Sequence, residues 1–140
     1  KDKFYITTNY EAKNFRLMVA PISSPGIKNW KEVIPNRDDV FFMGIEIFND
    51  YYVVEERDQG LIRLNVKSWD GATNYYMEFD EEVYTAGTTT NLDFNTKWLR
   101  FNYTSLTTPR TTYEFNMETK EKKMLKQTEV LLLKSFLLEI

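Results

Sequence analysis

The sequence predicts an all-β fold made of antiparallel hairpins. Short segments typical of strands recur about every ten residues with turn residues between them, and no long helical period occurs before residue 130. The composition agrees, because aromatic residues make up 16% of the chain and its ten Phe and nine Tyr favour strands. A length of 140 residues is that of one domain of ordinary size.

The first four predicted strands are bounded by clear turn signals. Alternation over FRLMVAPI places Phe15, Leu17 and Val19 on one face of the second strand. Ser23-Ser24-Pro25-Gly26 then forms a turn, and Pro35 ends the third strand. The four strands are expected at Phe4–Thr8, Phe15–Ile22, Trp30–Ile34 and Val40–Phe48.

The remaining strands follow the same logic. Asn49-Asp50 and Asp58-Gln59-Gly60 flank the fifth strand, and Trp69-Asp70-Gly71 closes the next hairpin. Asp80-Glu81-Glu82 separates the seventh strand from the eighth. These strands are expected at Tyr51–Glu56, Leu61–Ser68, Tyr75–Phe79, Val83–Thr89, Trp98–Ser105, Thr111–Met117 and Lys122–Lys126.

A repeat of 47 residues runs through this pattern. Phe4, Tyr51 and Trp98 each open a hairpin at that spacing, and Leu17 and Leu64 occupy corresponding strands. A four-strand unit of about 40 to 50 residues is the period of a β-propeller blade. Residues 1–130 are therefore expected to form about three blades, a partial arc with an apolar sheet face uncovered at each end. A plain β-sandwich is the alternative.

The composition excludes several classes of function. The chain has no Cys and no His, so it cannot supply thiolate catalysis, Cys-ligated zinc, a Ser-His-Asp triad or a His-ligated metal. A net charge of −3 does not indicate electrostatic binding to nucleic acid or to an anionic membrane. No run of about 18 apolar residues, the length needed to span a membrane, occurs in the sequence. We assign no catalytic, cofactor-binding or metal-ligating residue.

Three polar stretches have both a functional and a structural interpretation. Asp80-Glu81-Glu82 could bind a cation, but it lacks the spacing of a calcium loop, which favours a solvated turn. Glu55-Glu56-Arg57-Asp58 could attract a basic peptide, but alternation places Glu55 and Glu56 on opposite faces, which favours a local ion pair. Asn102-Tyr103-Thr104 is a glycosylation sequon inside a predicted strand, where a chance match is the default.

Three stretches in order give a resemblance to a known family. They are Glu32–Val40 (EVIPNRDDV), Tyr52–Leu61 (YVVEERDQGL) and Tyr103–Gln127, the last containing YTSLTTP, TTYE and LKQ. Over roughly residues 3–130 they resemble the oligopeptidase B, or protease II, branch of the prolyl oligopeptidase family. The resemblance implies a seven-bladed amino-terminal propeller that covers the active site of a separate α/β-hydrolase domain and excludes large folded proteins. It implies a parent serine peptidase that cuts short peptides after Arg or Lys, in the cytoplasm or periplasm of a bacterium.

None of that family's catalytic residues can be carried onto this chain, which has neither a Gly-x-Ser-x-Gly elbow nor a histidine. Residues 131–140 depart from the family pattern and form an apolar tail with helical spacing, as a truncated or frame-shifted product would. The chain opens in mid-strand without Met, so we expect a piece of a longer protein. The alternative to a gating propeller segment is an independent all-β protein-binding module. Either is expected to self-associate, with the tail buried.

Overall fold

The computed structural model describes residues 2–130, so the tail at 131–140 and its expected burial lie outside the described residues. All eleven predicted strands are present within this range, and its single helical element is a 3₁₀ turn at Ile27–Asn29. These residues contain no helix able to cross a membrane. The strands are β1 (Lys3–Thr8), β2 (Arg16–Pro21), β3 (Lys31–Ile34), β4 (Val40–Ile47), β5 (Tyr51–Asp58), β6 (Leu61–Ser68), β7 (Asn74–Tyr76), β8 (Tyr84–Thr88), β9 (Trp98–Ser105), β10 (Thr111–Asn116) and β11 (Lys122–Gln127).

The strands form three antiparallel sheets, each a meander in chain order. Sheet 1 is β1-β2-β3, sheet 2 is β4-β5-β6-β7 and sheet 3 is β8-β9-β10-β11. Three successive sheets of three or four strands confirm the blade prediction and exclude the two-sheet sandwich. The expected openings were wrong by one strand, because sheets 2 and 3 begin at Val40 and Tyr84. Tyr51 and Trp98 begin the second strand of each sheet, so the repeated aromatic positions mark the first hairpin turn and not the start of the blade.

Many strand limits differ from the prediction by one to three residues, and two of the differences have a clear structural reason. Strand β2 begins at Arg16, because Phe15 adopts a left-handed backbone conformation with φ of 66°. Strand β7 ends at Tyr76, and the chain leaves the sheet so that the Phe79 ring packs 4.6 Å from the ring of Tyr84. An aromatic packing contact therefore replaces the end of the expected strand.

Sheet 2 is buried on both faces. Val53 and Val54 are adjacent in β5 and point to opposite sides, and both are fully buried. Val53 belongs to a core shared with sheet 3, and Val54 to a smaller core shared with sheet 1. The larger core consists of Phe48, Tyr51, Val53, Leu64, Val66, Met77, Ala86, Leu99, Phe101, Tyr103, Phe115 and Met117. This face-to-face stacking is how propeller blades bury their apolar surfaces.

The 47-residue period is visible in these cores. Leu17, Leu64 and Thr111 stand 47 residues apart in β2, β6 and β10, and each has no exposed surface. The third blade thus places a threonine where the other two place leucine. Its hydroxyl donates to the Pro109 carbonyl at 2.7 Å and accepts a bond from Gln127 at 3.0 Å, so the buried polar group is satisfied.

The two outward faces of the arc each carry an ion pair, and the face of sheet 1 adds apolar residues. On sheet 3, Arg100 pairs with Glu114 at 2.8 Å, and Thr112 bonds to the neighbouring strand, so the apolar face expected at this end is polar. On sheet 1, Tyr5 lies in the core, so alternation turns its neighbours in β1 outward. The outward face of sheet 1 therefore carries the apolar residues Phe4, Ile6, Met18 and Ala20 beside the ion pair of Arg16 with Glu32 at 3.2 Å, and Met18 and Ala20 are buried.

All crossovers between sheets lie at one end of the arc, which we call the crossover end. The crossovers at 35–39 and 77–83 meet there with the hairpin turns at 9–15, 59–60 and 106–110. The opposite end carries the remaining connections, at 22–30, 48–50, 69–73, 89–97 and 117–121. Most of the polar groups singled out in the sequence lie near the crossover end.

Candidate functional site

The acidic triplet Asp80-Glu81-Glu82 lies in the crossover from β7 to β8. Within residues 2–130, no group of three or more His, Cys, Asp or Glu side chains could hold a metal ion. The cation interpretation therefore finds no support in the described residues. Asp80 and Glu82 are exposed, whereas Glu81 turns back onto sheet 3.

The carboxylate of Glu81 accepts hydrogen bonds from four hydroxyl groups, two on each oxygen. The donors are Tyr103 at 2.5 Å, Ser105 at 2.6 Å, Thr108 at 3.1 Å and Thr107. These bonds, led by those from Ser105 and Thr107, favour the ionised carboxylate and lower the pKa of Glu81 to about 2. We call these five residues the Glu81 clasp.

The Glu81 clasp joins two separate parts of the crossover end. It fastens the 77–83 crossover, which connects sheets 2 and 3, to the end of β9 and the turn that follows. Burial, together with the bond to Glu81, raises the pKa of Tyr103, whose ring also packs 5.1 Å from that of Phe79. Tyr103 therefore remains a neutral donor to the carboxylate. Apart from a local richness in hydroxyl residues, no sequence pattern predicts the clasp.

Glu55 and Glu56 point to opposite faces of sheet 2, as alternation predicted. Glu55 accepts a hydrogen bond from the backbone N–H of Thr88 in sheet 3. Glu56 is buried and accepts a bond from the Tyr76 hydroxyl at 2.7 Å, with the guanidinium of Arg37 at 3.8 Å. Each carboxylate is thus partnered by the chain itself, on the side of a different neighbouring sheet.

The rest of that acidic stretch forms the local ion pair expected of a strand end. Asp58 accepts a bond from Arg63 across the hairpin at 3.0 Å, and Arg57 is exposed. The stretch does not present two carboxylates to one ligand. Its side chains instead bond to neighbouring strands and to the β5–β6 hairpin, and no basic-peptide site forms from these four residues.

Glu46 is a half-buried carboxylate that the sequence analysis did not single out. It lies in β4 on the same face as Glu55, and within residues 2–130 it has no hydrogen bond or ion pair. Burial, and then the negative charge of Glu55, raises the pKa of Glu46. Only the register of β4 against β5 brings these two carboxylates together, so the sequence pattern alone could not have found them.

The sequon Asn102-Tyr103-Thr104 lies inside β9, between β8 and β10. The Asn102 side chain accepts a bond from the Thr112 hydroxyl at 2.8 Å, and Tyr103 is buried in the core. These contacts agree with a chance match to the glycosylation pattern.

A cleft of about 840 Å³ lies between β7 and the 77–83 crossover. Two of the tyrosine rings that line it are covered by cationic side chains of the same chain. Arg63 lies 5.2 Å from the centre of the Tyr76 ring, and Lys120 lies 4.3 Å from the centre of the Tyr75 ring. The cleft is therefore partly filled by the protein itself.

Comparison with known proteins gives the context for this arrangement. The family model for the prolyl oligopeptidase N-terminal β-propeller domain matches residues 1–128. Dipeptidyl aminopeptidase BI of Pseudoxanthomonas mexicana is 44% identical over 130 residues, which are 92% of this chain and 18% of that protein. Protease 2 of Moraxella lacunata is 28% identical over 93% of this chain and 18% of its own length.

Solved structures give the same result. Oligopeptidase B of Trypanosoma brucei superposes with a TM-score of 0.83 at 27% identity, covering 93% of this chain and 19% of that one. Oligopeptidase B of Leishmania major gives a TM-score of 0.81 at 26% identity, covering 92% and 19%. This chain spans about a fifth of the length of the relatives it matches. It belongs to the prolyl oligopeptidase family, as part of the amino-terminal β-propeller domain.

Proposed function

We propose that this chain is a non-catalytic propeller segment of a serine oligopeptidase that cleaves short peptides after Arg or Lys, and that it gates access to the catalytic domain. The observation that carries the proposal is the match of residues 1–128 to the family's propeller, with three stacked blades in the same arrangement as oligopeptidase B. The basic cleavage sites are proposed from the resemblance to the oligopeptidase B branch, which agrees with the likeness to Protease 2 and to two oligopeptidases B.

The absence of a general base supports the non-catalytic role. The chain contains no histidine, and a serine hydroxyl without an adjacent base is a poor nucleophile at neutral pH. The purified 140-residue chain should therefore not hydrolyse Arg- or Lys-containing peptides. Turnover that a single Ser substitution abolishes would contradict this.

The contacts between sheets support a gating role. A gate that selects by size needs a wall that does not open between its sheets, and polar contacts tie the sheets and their crossovers together in this arc. Arg37 ties the 35–39 crossover to Glu56 of sheet 2, and the Glu81 clasp ties the 77–83 crossover to sheet 3. Glu55 of sheet 2 bonds directly to sheet 3, at the backbone N–H of Thr88.

The test uses the full-length protein and three matched substrates. The first is a ten-residue peptide with one central Arg, the second has Gln in its place, and the third carries the first sequence in a surface loop of a stably folded protein. We expect a high kcat/KM for the first substrate alone. Equal cleavage of the Gln peptide would contradict the basic specificity, and equal cleavage of the folded substrate would contradict the gate. Cleavage of none of the three substrates would favour the alternative, an independent protein-binding module.

A further inference from the structure

We propose that the cleft beside β7 binds an extended, positively charged segment of a partner protein, which adds to the uncovered part of β6 as a further strand. We call residues 61–63 of β6, which form that uncovered part, the open edge. The inference does not depend on the gating role, because the cleft and both of its walls belong to this chain.

The open edge exists because β7 is shorter than β6. Strand β6 has eight residues, whereas β7 pairs only with Asn65–Lys67. One further bond follows, from the backbone N–H of Met77 to the carbonyl of Leu64 at 2.8 Å. Alternation turns the N–H and carbonyl of Ile62 to the same side as those of Leu64. Within residues 2–130, no backbone hydrogen bond joins Ile62 to the crossover that follows β7, so both groups remain able to pair.

The cleft lies along the open edge. Leu61 and Arg63 of that edge line one wall, and residues 78–82 of the crossover line the other. The rings of Phe79 and Tyr84, which pack against the larger core, contribute apolar surface. A volume of about 840 Å³ lies within the range of ligand-binding clefts. An extended segment in this cleft can exchange backbone hydrogen bonds with Ile62, as in peptide recognition by strand addition.

The charges of the lining indicate the occupant. Glu78, Asp80 and Glu82 line the cleft, and all three residues are exposed. None of them forms an ion pair within residues 2–130. Arg63 is paired within its own hairpin, so Lys120 is the lining cation without a carboxylate partner in the same range. Three carboxylates against one ammonium group favour a segment with net positive charge.

Strand β11 provides an internal comparison for the open edge. It also has a free edge, since it pairs only with β10. That strand carries Lys122, Lys123 and Lys126, and lysine side chains protect an edge strand from pairing with another chain. They also repel a basic segment. A basic peptide should therefore add to β6 and not to β11.

The test titrates the 140-residue chain with an eight-residue peptide in which lysine alternates with valine. NMR shifts give Kd, and hydrogen exchange is followed at the amides of Ile62 and of β11. At a peptide concentration of ten times Kd, we expect exchange at Ile62 to slow about tenfold and exchange at β11 to stay unchanged. A peptide with glutamate in place of lysine should not bind. A lysine peptide with methylated backbone nitrogens keeps its charge but cannot donate to the edge, and should not protect Ile62.

Two double variants test the charge of the wall. Glu78→Gln combined with Asp80→Asn removes two carboxylates from the cleft, and should weaken binding of the lysine peptide roughly fivefold. Glu11→Gln combined with Asp93→Asn removes two carboxylates elsewhere and is the matched control, with an expected change of less than about twofold. All four residues are exposed, so neither double variant removes a core contact.

Four outcomes would overturn the inference. The first is that none of the peptides binds. Equal binding of the methylated peptide would mean charge attraction without strand addition. Equal weakening by the two double variants would mean attraction to the whole chain and not to this cleft. Protection of Ile62 that rises with protein concentration in the absence of peptide would make a second copy of the chain the occupant.

Discussion

Two carboxylates on one face of sheet 2 have opposite effects on stability. Glu46 is half-buried beside Glu55 with no partner in the described residues, whereas Glu55 accepts a bond from the Thr88 N–H. We expect Glu46→Gln to raise the free energy of unfolding at pH 7 by at most about 1 kcal/mol, since solvent screens a half-exposed charge. Urea unfolding measures this.

The sign at Glu46 follows from its raised pKa. The folded state binds the proton more tightly than the unfolded state does, so the ionised residue costs stability above its folded pKa. Glu55→Gln is the matched control and should lower stability, because it weakens the hydrogen bond from the Thr88 N–H that joins sheets 2 and 3. Equal shifts of the two variants in the same direction would contradict this account.

Glu81 should make the protein sensitive to acid. Its folded pKa of about 2 lies below the ordinary value of 4.5, so its contribution is fully present above pH 4.5 and is lost as the pH falls toward 2. We expect the wild-type chain to lose more stability between pH 5 and pH 3 than Glu81→Gln does. Urea midpoints at both values test this, with the exposed neighbour in Glu82→Gln as control. A wild-type pH dependence that Glu81→Gln leaves unchanged would refute the role of the clasp.

For single residues, the sequence predicted which face of a strand a carboxylate points to, but it did not predict the groups that bond to that carboxylate. The opposed directions of Glu55 and Glu56 follow from the two-residue period of a strand, which is a local property. The partners of Glu81 lie 22 to 27 residues farther along the chain. Only the pairing of β8 with β9 brings them together, and no short pattern in the sequence encodes that register.

Among the elements, the hairpin between β5 and β6 depends most on one glycine. Asp58 pairs with Leu61, so the turn contains only Gln59 and Gly60, with φ of 50° and 85°. These are the two left-handed positions of a type I′ turn. We expect Gly60→Ala to lower the free energy of unfolding by about 1 kcal/mol.

Gly26 is the control for that substitution. Its φ is −59°, and a Cβ added there meets no atom within 4 Å, so Gly26→Ala should be neutral or slightly stabilising. Thermal melting of both variants gives the comparison. If Gly26→Ala cost as much as Gly60→Ala, the loss could not be attributed to backbone conformation.

The elements were the best-predicted level of the structure. Alternation and turn residues located all eleven strands, because both signals act within a few residues. The errors occurred where tertiary contacts decide the outcome. Phe79 lies outside its expected strand because its ring packs on Tyr84. The first strand of each blade is set by which strands pair in one sheet, and the repeat of Tyr51 and Trp98 does not specify that pairing.

For the whole molecule, the 47-residue period predicted the arc of stacked sheets but not the contrast between its outward faces. Periodicity reports which positions are buried between blades, and it carries no information on what an end face contacts. Both faces carry an ion pair, Arg100 with Glu114 on sheet 3 and Arg16 with Glu32 on sheet 1. Sheet 1 differs by its exposed Phe4, at 47%.

That contrast determines how the isolated chain should associate. We expect a two-fold dimer through the outward face of sheet 1, where Phe4 is 47% exposed, because apolar side chains exposed at an uncovered sheet face mark interfaces. Light scattering at micromolar concentration measures the mass. Phe4→Lys should shift the population toward a single chain, whereas Thr112→Lys on the polar face of sheet 3 should not. A wild-type sample with the mass of one chain would refute self-association.

The burial of sheet 2 on both faces has a kinetic consequence. In a row of units that contact only their neighbours, the terminal units open first and the central unit opens last. Amide hydrogens of β5 and β6 should therefore exchange most slowly, at a rate set by global unfolding, while those of β1 and β11 exchange through fraying of the ends. The adjacent residues Val53 and Val54, which belong to different cores, place the slowest-exchanging segment at the middle of β5.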